Sequence, residues 1–278
     1  MAATVKLHPM IVADMGAPPN YWDGNASLVG LLKGLATSRS KFVWLPIPAF
    51  LVEHPERGPI LIDTGFDPSV AGDPVRSLGK VGSRIFSPLR MTSEGAVSAQ
   101  LRARGVDPSD VAMVVMTHLH FDHTSGIGQF PDAEFVVERR ERDAVKGGLL
   151  KGYMPAHLEG AANWRLIDVA SAPPDEGFDH VLDLLGDGTI RLAFTPGHTH
   201  GHCSALLRTE AGPLLLAGDA AYARRSIDER WVPLTVTGKV SEYKESLEKI
   251  AAWAAAHPGA PVICGHDPWN RADLERDY

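Results

Sequence analysis

THLHFDH, at residues 117–123, holds four side chains of metal-ligand type within six positions. The apolar run VAMVVM that precedes it predicts a strand. In an extended chain, residues i and i+2 point the same way, so His118 and His120 can hold one ion together. The HTSG that follows predicts a turn, which lets Asp122 and His123 aim at a second point nearby. Metal coordination offsets the desolvation of so many polar groups at a strand exit, so the segment predicts a metal site.

Three later positions carry the same kinds of side chain at predicted strand ends. His198 stands in TPGH after the run IRLAF, Asp219 ends the run LLLAG, and His266 stands in CGH after the run PVIC. Of the 12 histidines, seven fall at 118–123, at 198–202 and at 266, which a scatter of surface histidines would not produce. We therefore expect these three residues to converge with the first segment on one edge of a buried sheet and to complete two binding positions.

Apolar runs bounded by Gly, Pro, Asp and Asn predict the strands. Several of them are apolar throughout, which is typical of strands buried on both faces by covering layers. They lie at 43–52, 60–63, 111–116, 134–137, 190–194, 204–207, 214–217 and 261–264.

Two helices and one short helical turn are also predicted. Ser93 is expected to cap a helix that stops at Gly105, and the apolar stripe of residues 241–256 predicts a core-facing surface helix. ERRER, at 138–142, is expected to form the solvated face of a short helix.

A faint internal repeat relates LVEHPERGPILID at 51–63 to ALLRTEAGPLLLAGD at 205–219. Each copy has an apolar strand, a polar turn ending in Gly-Pro, a second apolar strand and an acid. The repeat indicates two similar sheet halves, each of which places an aspartate (Asp63 or Asp219) at the end of a strand, near the boundary that the halves share. No low-complexity linker separates the halves, so we expect residues 1–278 to form a single domain with two sheets inside and helices outside.

Composition excludes several other classes of protein. The chain has 278 residues, and 27 Lys+Arg against 34 Asp+Glu give a net charge of −7, without the basic excess of a nucleic-acid binder. The longest apolar stretch, FVWLPIPAFLV, contains two prolines and is far shorter than the roughly 20 residues of a membrane span. The amino terminus lacks the apolar core of a secretory signal, and two cysteines suit a reducing compartment. We therefore expect a cytoplasmic protein that binds neither nucleic acid nor membrane.

The series HLHFDH, TPGH, strand-end Asp and GH resembles the metallo-β-lactamase superfamily, from about Val43 to His266. The resemblance implies an α/β (α+β) fold, an αββα four-layer sandwich with two metals in the cleft between its sheets. It further implies one metal held by His118, His120 and His198, another held by Asp122, His123 and His266, and Asp219 bridging both. Five imidazoles and two carboxylates suit zinc, with iron, manganese and cobalt as alternatives.

Other polar residues near these motifs are expected to support the ligands. Asp63, in ILIDTG, matches a family segment whose aspartate usually holds a ligand in place, and His200 and His202 are expected to do the same or to shape the turn. Cys203 and Cys264 are expected to be buried core thiols. The chain departs from the family pattern after the motif, where it reads TSG in place of a small residue and two glycines.

Within the superfamily, the sequence looks like the N-acyl homoserine lactone lactonases. Tyr222 lies three residues after Asp219, the spacing at which those lactonases place a tyrosine on the substrate carbonyl, and PIPAFLVEHP resembles their amino-terminal strands. The resemblance implies that Tyr222 stabilises the oxyanion and that Asp122 moves the proton to the leaving oxygen. A packed aromatic is the alternative role of Tyr222. Candidates for an acyl-chain groove are Met15, Tyr21, Trp22, Phe42, Trp44, Phe66 and Phe86.

The function expected from these observations is dinuclear metal-dependent opening of a lactone ring, as in a quorum-quenching lactonase. The expected partners are a small-molecule lactone and a second copy of the chain in a homodimer. Three alternatives stay open: a thioesterase of the glyoxalase II type, a phosphoesterase, and an inactive metal-binding module. The thioesterase is disfavoured because it would need a basic carboxy-terminal extension, and only residues 267–278 follow His266.

Overall fold

The computed structural model describes residues 3–19 and 36–278. Tyr21 and Trp22, two of the candidates for an acyl-chain groove, lie outside these residues. None of the described helices is long and apolar enough to cross a membrane.

In the described part of the chain, seven strands form the larger of two sheets, in the spatial order β4-β1-β2-β3-β5-β6-β7. Neighbours from β1 to β3 pair antiparallel, whereas β3, β5, β6 and β7 run parallel. Because β3 and β5 are parallel neighbours, their carboxyl ends reach the same edge. The strands are β1 (Lys6–Ala17), β2 (Val43–His54), β3 (Gly58–Ile62), β4 (Leu89–Arg90), β5 (Met113–Val115), β6 (Glu134–Glu138) and β7 (Asn163–Ile167).

Five strands of residues 3–19 and 36–278 form the smaller sheet, in the order β12-β11-β10-β9-β8. β11 and β12 pair parallel, so residues that follow them also reach a common edge. The strands are β8 (Val181–Asp183), β9 (Ile190–Phe194), β10 (Cys203–Thr209), β11 (Gly212–Gly218) and β12 (Val262–Cys264).

The two copies of the internal repeat form one hairpin in each sheet. β2 pairs antiparallel with β3 in the larger sheet, and β10 pairs antiparallel with β11 in the smaller one. Asp63 directly follows β3, and Asp219 directly follows β11. The hairpins therefore bring an aspartate from each sheet to the end of an inner strand.

Six α-helices are found among the described residues. They are α1 (Pro74–Ile85), α2 (Val97–Ala103), α3 (Phe121–Thr124), α4 (Arg139–Ala144), α5 (Arg224–Glu229) and α6 (Val240–Ala256). Leu78 of α1 and Leu101 of α2 pack with Leu61 and Phe135 of the larger sheet. Leu247 of α6 packs with the smaller sheet on its outer face.

A third apolar cluster joins the inner faces of the two sheets. Val52 and Ile62 of the larger sheet pack in it with Leu192, Leu207 and Leu216 of the smaller one. Together the three clusters define four layers, helix, sheet, sheet and helix, which confirms the αββα sandwich.

Two expectations about helices are wrong in detail. Ser93 does not cap α2: it begins a short 3₁₀ turn, and the helix starts after Ala96, which has no side-chain cap. Because Ala96 and Val97 are both buried, packing fixes where this helix starts, and no side-chain cap is needed. The helix of the ERRER segment does not present only a solvated face, because Glu138 and Glu141 are both buried and accept backbone N–H groups.

Candidate metal centre

The seven residues expected to hold metal follow strand ends on both sheets and are all buried. His118 and His120 follow β5, and the first turn of α3 carries the next two ligand-type side chains. The others follow β9, β11 and β12. Their exposed fractions range from 0% to 6%: His118 0%, His120 6%, Asp122 5%, His123 2%, His198 0%, Asp219 1% and His266 1%.

His118, His120 and His198 form the first group of ligand atoms, all within 4.8 Å of one another. The Nδ1 atom of His120 lies 2.9 Å from Nε2 of His198. Three imidazole nitrogens therefore converge on one point at the end of β5.

Asp122, His123 and His266 form a second group, again within 4.8 Å of one another. Oδ2 of Asp122 lies 3.6 Å from Nε2 of His266 and 3.9 Å from Nε2 of His123. This group is composed of one carboxylate and two imidazoles, as the resemblance implies.

Asp219 lies between the two groups. Its Oδ2 atom is 3.2 Å from Nε2 of His198 in the first group and 3.2 Å from Nε2 of His266 in the second. A Cβ atom at Gly265 would approach Oδ1 of Asp219 to 2.3 Å, so glycine alone leaves room for this carboxylate. The arrangement places one carboxylate within reach of both ligand groups.

Several ligand atoms have no hydrogen-bond partner among the described residues although they are buried: Nε2 of His118, Nε2 of His123 and Oδ1 of Asp219. An unsatisfied buried polar atom costs about 1–3 kcal/mol, more where it is charged, so three of them in one cluster need a partner. A divalent cation would satisfy them together, because imidazole nitrogens and carboxylate oxygens are its usual donors. The donor set therefore fits divalent transition metals.

In the first group, the pKa shifts keep histidine rings neutral, which is the form that binds a metal. Burial lowers the pKa of His118 well below its ordinary value and lowers that of His120 to about 3, so both rings keep a lone pair at neutral pH. Burial alone would raise the pKa of Asp219, but His266 and His198 outweigh it and hold this pKa well below the ordinary range. Asp219 is therefore ionised.

In the second group, His123 carries the opposite shift. Burial acts to lower its pKa, but the carboxylates of Asp63 and Asp122 outweigh burial and raise it to about 10. Burial raises the pKa of Asp122 itself. A metal at this position therefore competes with a proton for the His123 ring.

Asp63 fixes the orientation of the first and last residues of the ligand segment. Its Oδ1 accepts from the backbone N–H of Thr117 at 2.9 Å, and its Oδ2 accepts from the Thr117 hydroxyl and from Nδ1–H of His123, both at 2.7 Å. Nδ1–H of His266 is likewise directed, to the carbonyl of Pro46 at 2.9 Å. Such contacts direct Nε2 of each ring toward the ligand cluster.

His202 supports the cluster from outside it. Its ring is fully buried, lies 2.9 Å from the Thr195 hydroxyl through Nδ1, and accepts the backbone N–H of Asp219 through Nε2 at 3.1 Å. His200 is only half-buried and belongs to none of the ligand groups found in the described part of the chain. Burial raises the pKa of the Cys203 and Cys264 thiols well above their ordinary values, so both are neutral at physiological pH.

Tyr222 is buried beside both ligand groups. Its ring centroid lies 5.1 Å from that of His266 and 5.4 Å from that of His198, and its oxygen accepts a hydrogen bond from the Thr235 hydroxyl at 2.5 Å. Burial, together with the charge of Asp219, raises its pKa well above the ordinary value. The phenol is therefore neutral and retains a proton to donate.

The described candidates for an acyl-chain groove differ in how far they are buried. Phe66 is fully buried in the core, whereas Phe86 is half-buried and stacks on Phe121 with ring centroids 3.5 Å apart. Met15, Phe42 and Trp44 are also half-buried.

Two buried residues beside the cluster were not expected from the sequence. The Tyr153 ring lies 5.1 Å from that of His120, and the carboxylate of Glu141 accepts from the backbone between His118 and His120. Neither residue stands in a recognisable motif, so only the fold identifies them.

Comparison with known proteins gives a consistent result. A family model described as the metallo-beta-lactamase superfamily matches residues 43–256. N-acyl homoserine lactonase AttM of Azorhizobium caulinodans is 38% identical over 81% of this chain and 82% of its own length. The protein of the same name from Agrobacterium fabrum is 37% identical over 84% of this chain and 86% of its own.

Solved structures agree in fold. N-acyl homoserine lactone hydrolase, determined with N-hexanoyl-L-homoserine bound at its catalytic metal centre, is similar with a TM-score of 0.76 and 23% identity, over 98% of this chain and 97% of that one. A probable metal-dependent hydrolase from Staphylococcus aureus is similar with a TM-score of 0.71 and 16% identity, over 96% of this chain and 91% of that one.

Proposed function

This chain belongs to the metallo-β-lactamase superfamily and is a metal-dependent hydrolase, and we propose that it opens the lactone ring of N-acyl homoserine lactones. The observation that carries the proposal is the position of Asp219, 3.2 Å from a histidine of each ligand group. A carboxylate in that place suits a pair of closely spaced metals, the arrangement of hydrolases that activate water. Relatives named as N-acyl homoserine lactonases, at 37–38% identity, support the substrate class.

We further propose two zinc ions per chain. His118, His120 and His198 would hold one, Asp122, His123 and His266 would hold the other, and Asp219 would bridge them. Imidazole and carboxylate donors without thiolate also suit iron, manganese or cobalt, so elemental analysis of the purified protein decides the identity.

A pair of divalent metals, when bound, would supply Lewis acidity that lowers the pKa of water and activates a carbonyl toward attack. The protein contributes the groups that position charge and protons. The neutral Tyr222 hydroxyl would donate a hydrogen bond to the oxygen on which negative charge develops. Asp122, whose pKa burial raises, would take up at its carboxylate the proton that the attacking water loses and pass it to the leaving oxygen of the opened ring.

Several finer expectations stay predictions. They are the homodimer, the cytoplasmic location and the single domain over residues 1–278. Sedimentation velocity of the purified chain tests the homodimer, and a single cooperative unfolding transition of the whole chain is the expected behaviour of one domain.

The function is tested by assaying one metal-loaded preparation against three substrate classes. N-hexanoyl homoserine lactone, a glutathione thioester and a phosphodiester are compared by kcat/KM, with a pH indicator reporting the acid released when the lactone opens. We expect the lactone to be the preferred substrate and activity to disappear on exhaustive dialysis against a chelator. If kcat/KM for the thioester or the phosphodiester is about a hundredfold above that for the lactone, the chain belongs to that other class instead. This ratio corresponds to a difference of about 2.7 kcal/mol in transition-state binding.

A further inference from the structure

Glu141 is a fully buried carboxylate in α4, a helix that contains no expected ligand. Burial alone raises its pKa, and the hydrogen bonds that it accepts act in the opposite direction. A buried carboxylate is costly to retain unless several donors satisfy it, so its donors indicate what it does in the fold.

The two backbone donors to Glu141 come from two separate ligand segments. Its Oε1 accepts the backbone N–H of Leu119 at 3.0 Å, and its Oε2 accepts the backbone N–H of Gly201 at 2.9 Å. Leu119 stands between His118 and His120, and Gly201 follows His198 by three residues. One carboxylate therefore ties together the segments that supply all three imidazoles of the first ligand group.

The contact between α4 and the second of these segments is close. A Cβ atom at position 201 would lie 2.2 Å from the backbone nitrogen of Glu141, so only glycine lets the segment approach this far. The short distance permits the hydrogen bond from the Gly201 N–H, and it leaves little freedom for that segment to move relative to α4.

Resting on the two-metal site proposed above, we infer that Glu141 is a positioning residue that fixes segment 118–120 relative to segment 198–201 and thereby sets the metal affinity of the three-histidine site. Its effect on the other ligand group is indirect, because neither of the two backbone N–H groups belongs to Asp122, His123 or His266. Loss of Glu141 should therefore weaken one metal site and leave the other nearly unchanged.

The substitution Glu141→Gln tests this with little change in shape. An amide has a single oxygen acceptor, so glutamine can satisfy only one of the two N–H groups, and its NH₂ would face the other. Glu141→Asp keeps the charge but shortens the side chain, so it cannot reach both donors. It serves as the second variant if the glutamine variant does not fold.

Glu138 provides a matched control three residues earlier. It is also a buried glutamate, and its two oxygens also accept backbone N–H groups, from Arg140 at 3.3 Å and from Val169 at 2.6 Å. Neither of those donors lies in a ligand segment. Glu138→Gln therefore reproduces the loss of a buried carboxylate without touching the metal site.

The experiment measures Co²⁺ binding to metal-free protein by competition with a chromogenic chelator, together with the visible spectrum of the bound ion. Changes to groups that orient metal ligands typically cost 10–100-fold in affinity, so we expect Glu141→Gln to weaken one of two sites by roughly that factor and to alter its spectrum. Glu138→Gln should keep both affinities within about threefold of the wild type. Thermal unfolding of the metal-free variants checks that both are folded.

The outcomes separate this inference from the proposed function. A wild-type chain that binds no Co²⁺ would overturn the two-metal site itself. If the wild-type chain binds two ions, two results would overturn the role of Glu141 alone. Either Glu141→Gln binds both ions as tightly as the wild type, or Glu138→Gln loses as much metal affinity as Glu141→Gln. In the His118→Ala background, which lacks the three-histidine site, adding Glu141→Gln should leave the remaining affinity unchanged, and a further loss there would contradict the assignment to one site.

Discussion

Replacing Tyr222 by phenylalanine removes one hydroxyl and leaves the ring that packs between His198 and His266. An oxyanion donor that acts alone is worth roughly 10²–10³ in kcat. Lewis acidity of a bound metal would act on the same oxygen, so we expect a smaller loss, about 10-fold to 100-fold, equivalent to about 1.4–2.7 kcal/mol. Because this donor acts most strongly on the developing charge, the loss should appear in kcat and not in KM.

The hydroxyl also has a structural partner, whose contribution must be separated from catalysis. The Thr235 hydroxyl donates to the Tyr222 oxygen, and Thr235 is only half-buried, so water can replace that acceptor. We therefore expect Tyr222→Phe to lower the free energy of unfolding by only about 1 kcal/mol. Thr235→Val removes the same hydrogen bond but keeps the phenol, and it should retain most of kcat.

The assay follows acid release from N-hexanoyl homoserine lactone over a range of substrate concentrations, with metal content measured on the same samples. Metal content should not change, since Tyr222 is not among the expected ligands. An unaltered kcat/KM in Tyr222→Phe would make Tyr222 a packing residue and would refute the reasoning. Equal losses in Thr235→Val and Tyr222→Phe would refute it as well, because the shared hydrogen bond would then explain both.

Three further predictions test other residues of the site and its surroundings. His118→Ala should lose bound metal whereas His200→Ala should keep it, and equal metal content by elemental analysis would mean that the wrong histidines were assigned. Asp63→Asn should weaken metal binding about 10-fold to 100-fold, because asparagine cannot accept from both Thr117 and His123 as the carboxylate does, and a chelator competition that finds unchanged affinity would contradict this. Burial lowers the pKa of His157 below its ordinary value of 6.5, so its contribution to stability is present above pH 6.5 and is lost as the pH falls. Urea unfolding of metal-free protein should therefore show a weaker acid-side decline in His157→Gln than in the wild type, and parallel curves would exclude the histidine as a cause.

The inner strands of both sheets could be predicted because burial on both faces leaves a continuous apolar run. The run at 190–194 coincides with β9, and 43–52, 134–137, 204–207 and 214–217 lie within longer strands. The predicted run at 111–116 is longer than β5, since the polypeptide leaves the sheet to reach the ligand segment.

The apolar pattern of the sequence does not predict the strand β1, although this strand has 12 residues. It contains Pro9 and Asp14, which reasoning from sequence takes as evidence against a strand. In the structure β1 pairs with β2 through a register shift between Ile11 and Ala13, and this irregularity accommodates a segment without a clean apolar pattern. The short strands β4, β7 and β8 are not predictable either, since two to five residues give too little pattern to recognise.

In the site, residues of one local motif can be predicted from the sequence, whereas residues that only the fold brings together cannot. His118, His120, Asp122 and His123 are visible because a ligand set at a strand exit has no other ready explanation. Glu141 is not visible, because in sequence it is one charge in ERRER, a pattern typical of a solvated helix. Its two donors lie 22 and 60 residues away, so only the packed structure reveals that they are shared.

Asp63 and Glu141 together explain how the ligand segment is held before any metal binds. Asp63 accepts from Thr117 and from the ring of His123, at the two ends of the segment, and Glu141 accepts from Leu119 between them. The backbone is thus anchored by side chains that lie outside the ligand groups, and the buried ligand atoms that lack a partner are held in place by the surrounding fold. Because the cost of orienting these rings is met by contacts within the protein, a metal ion that enters gains its binding energy with little further ordering of the chain.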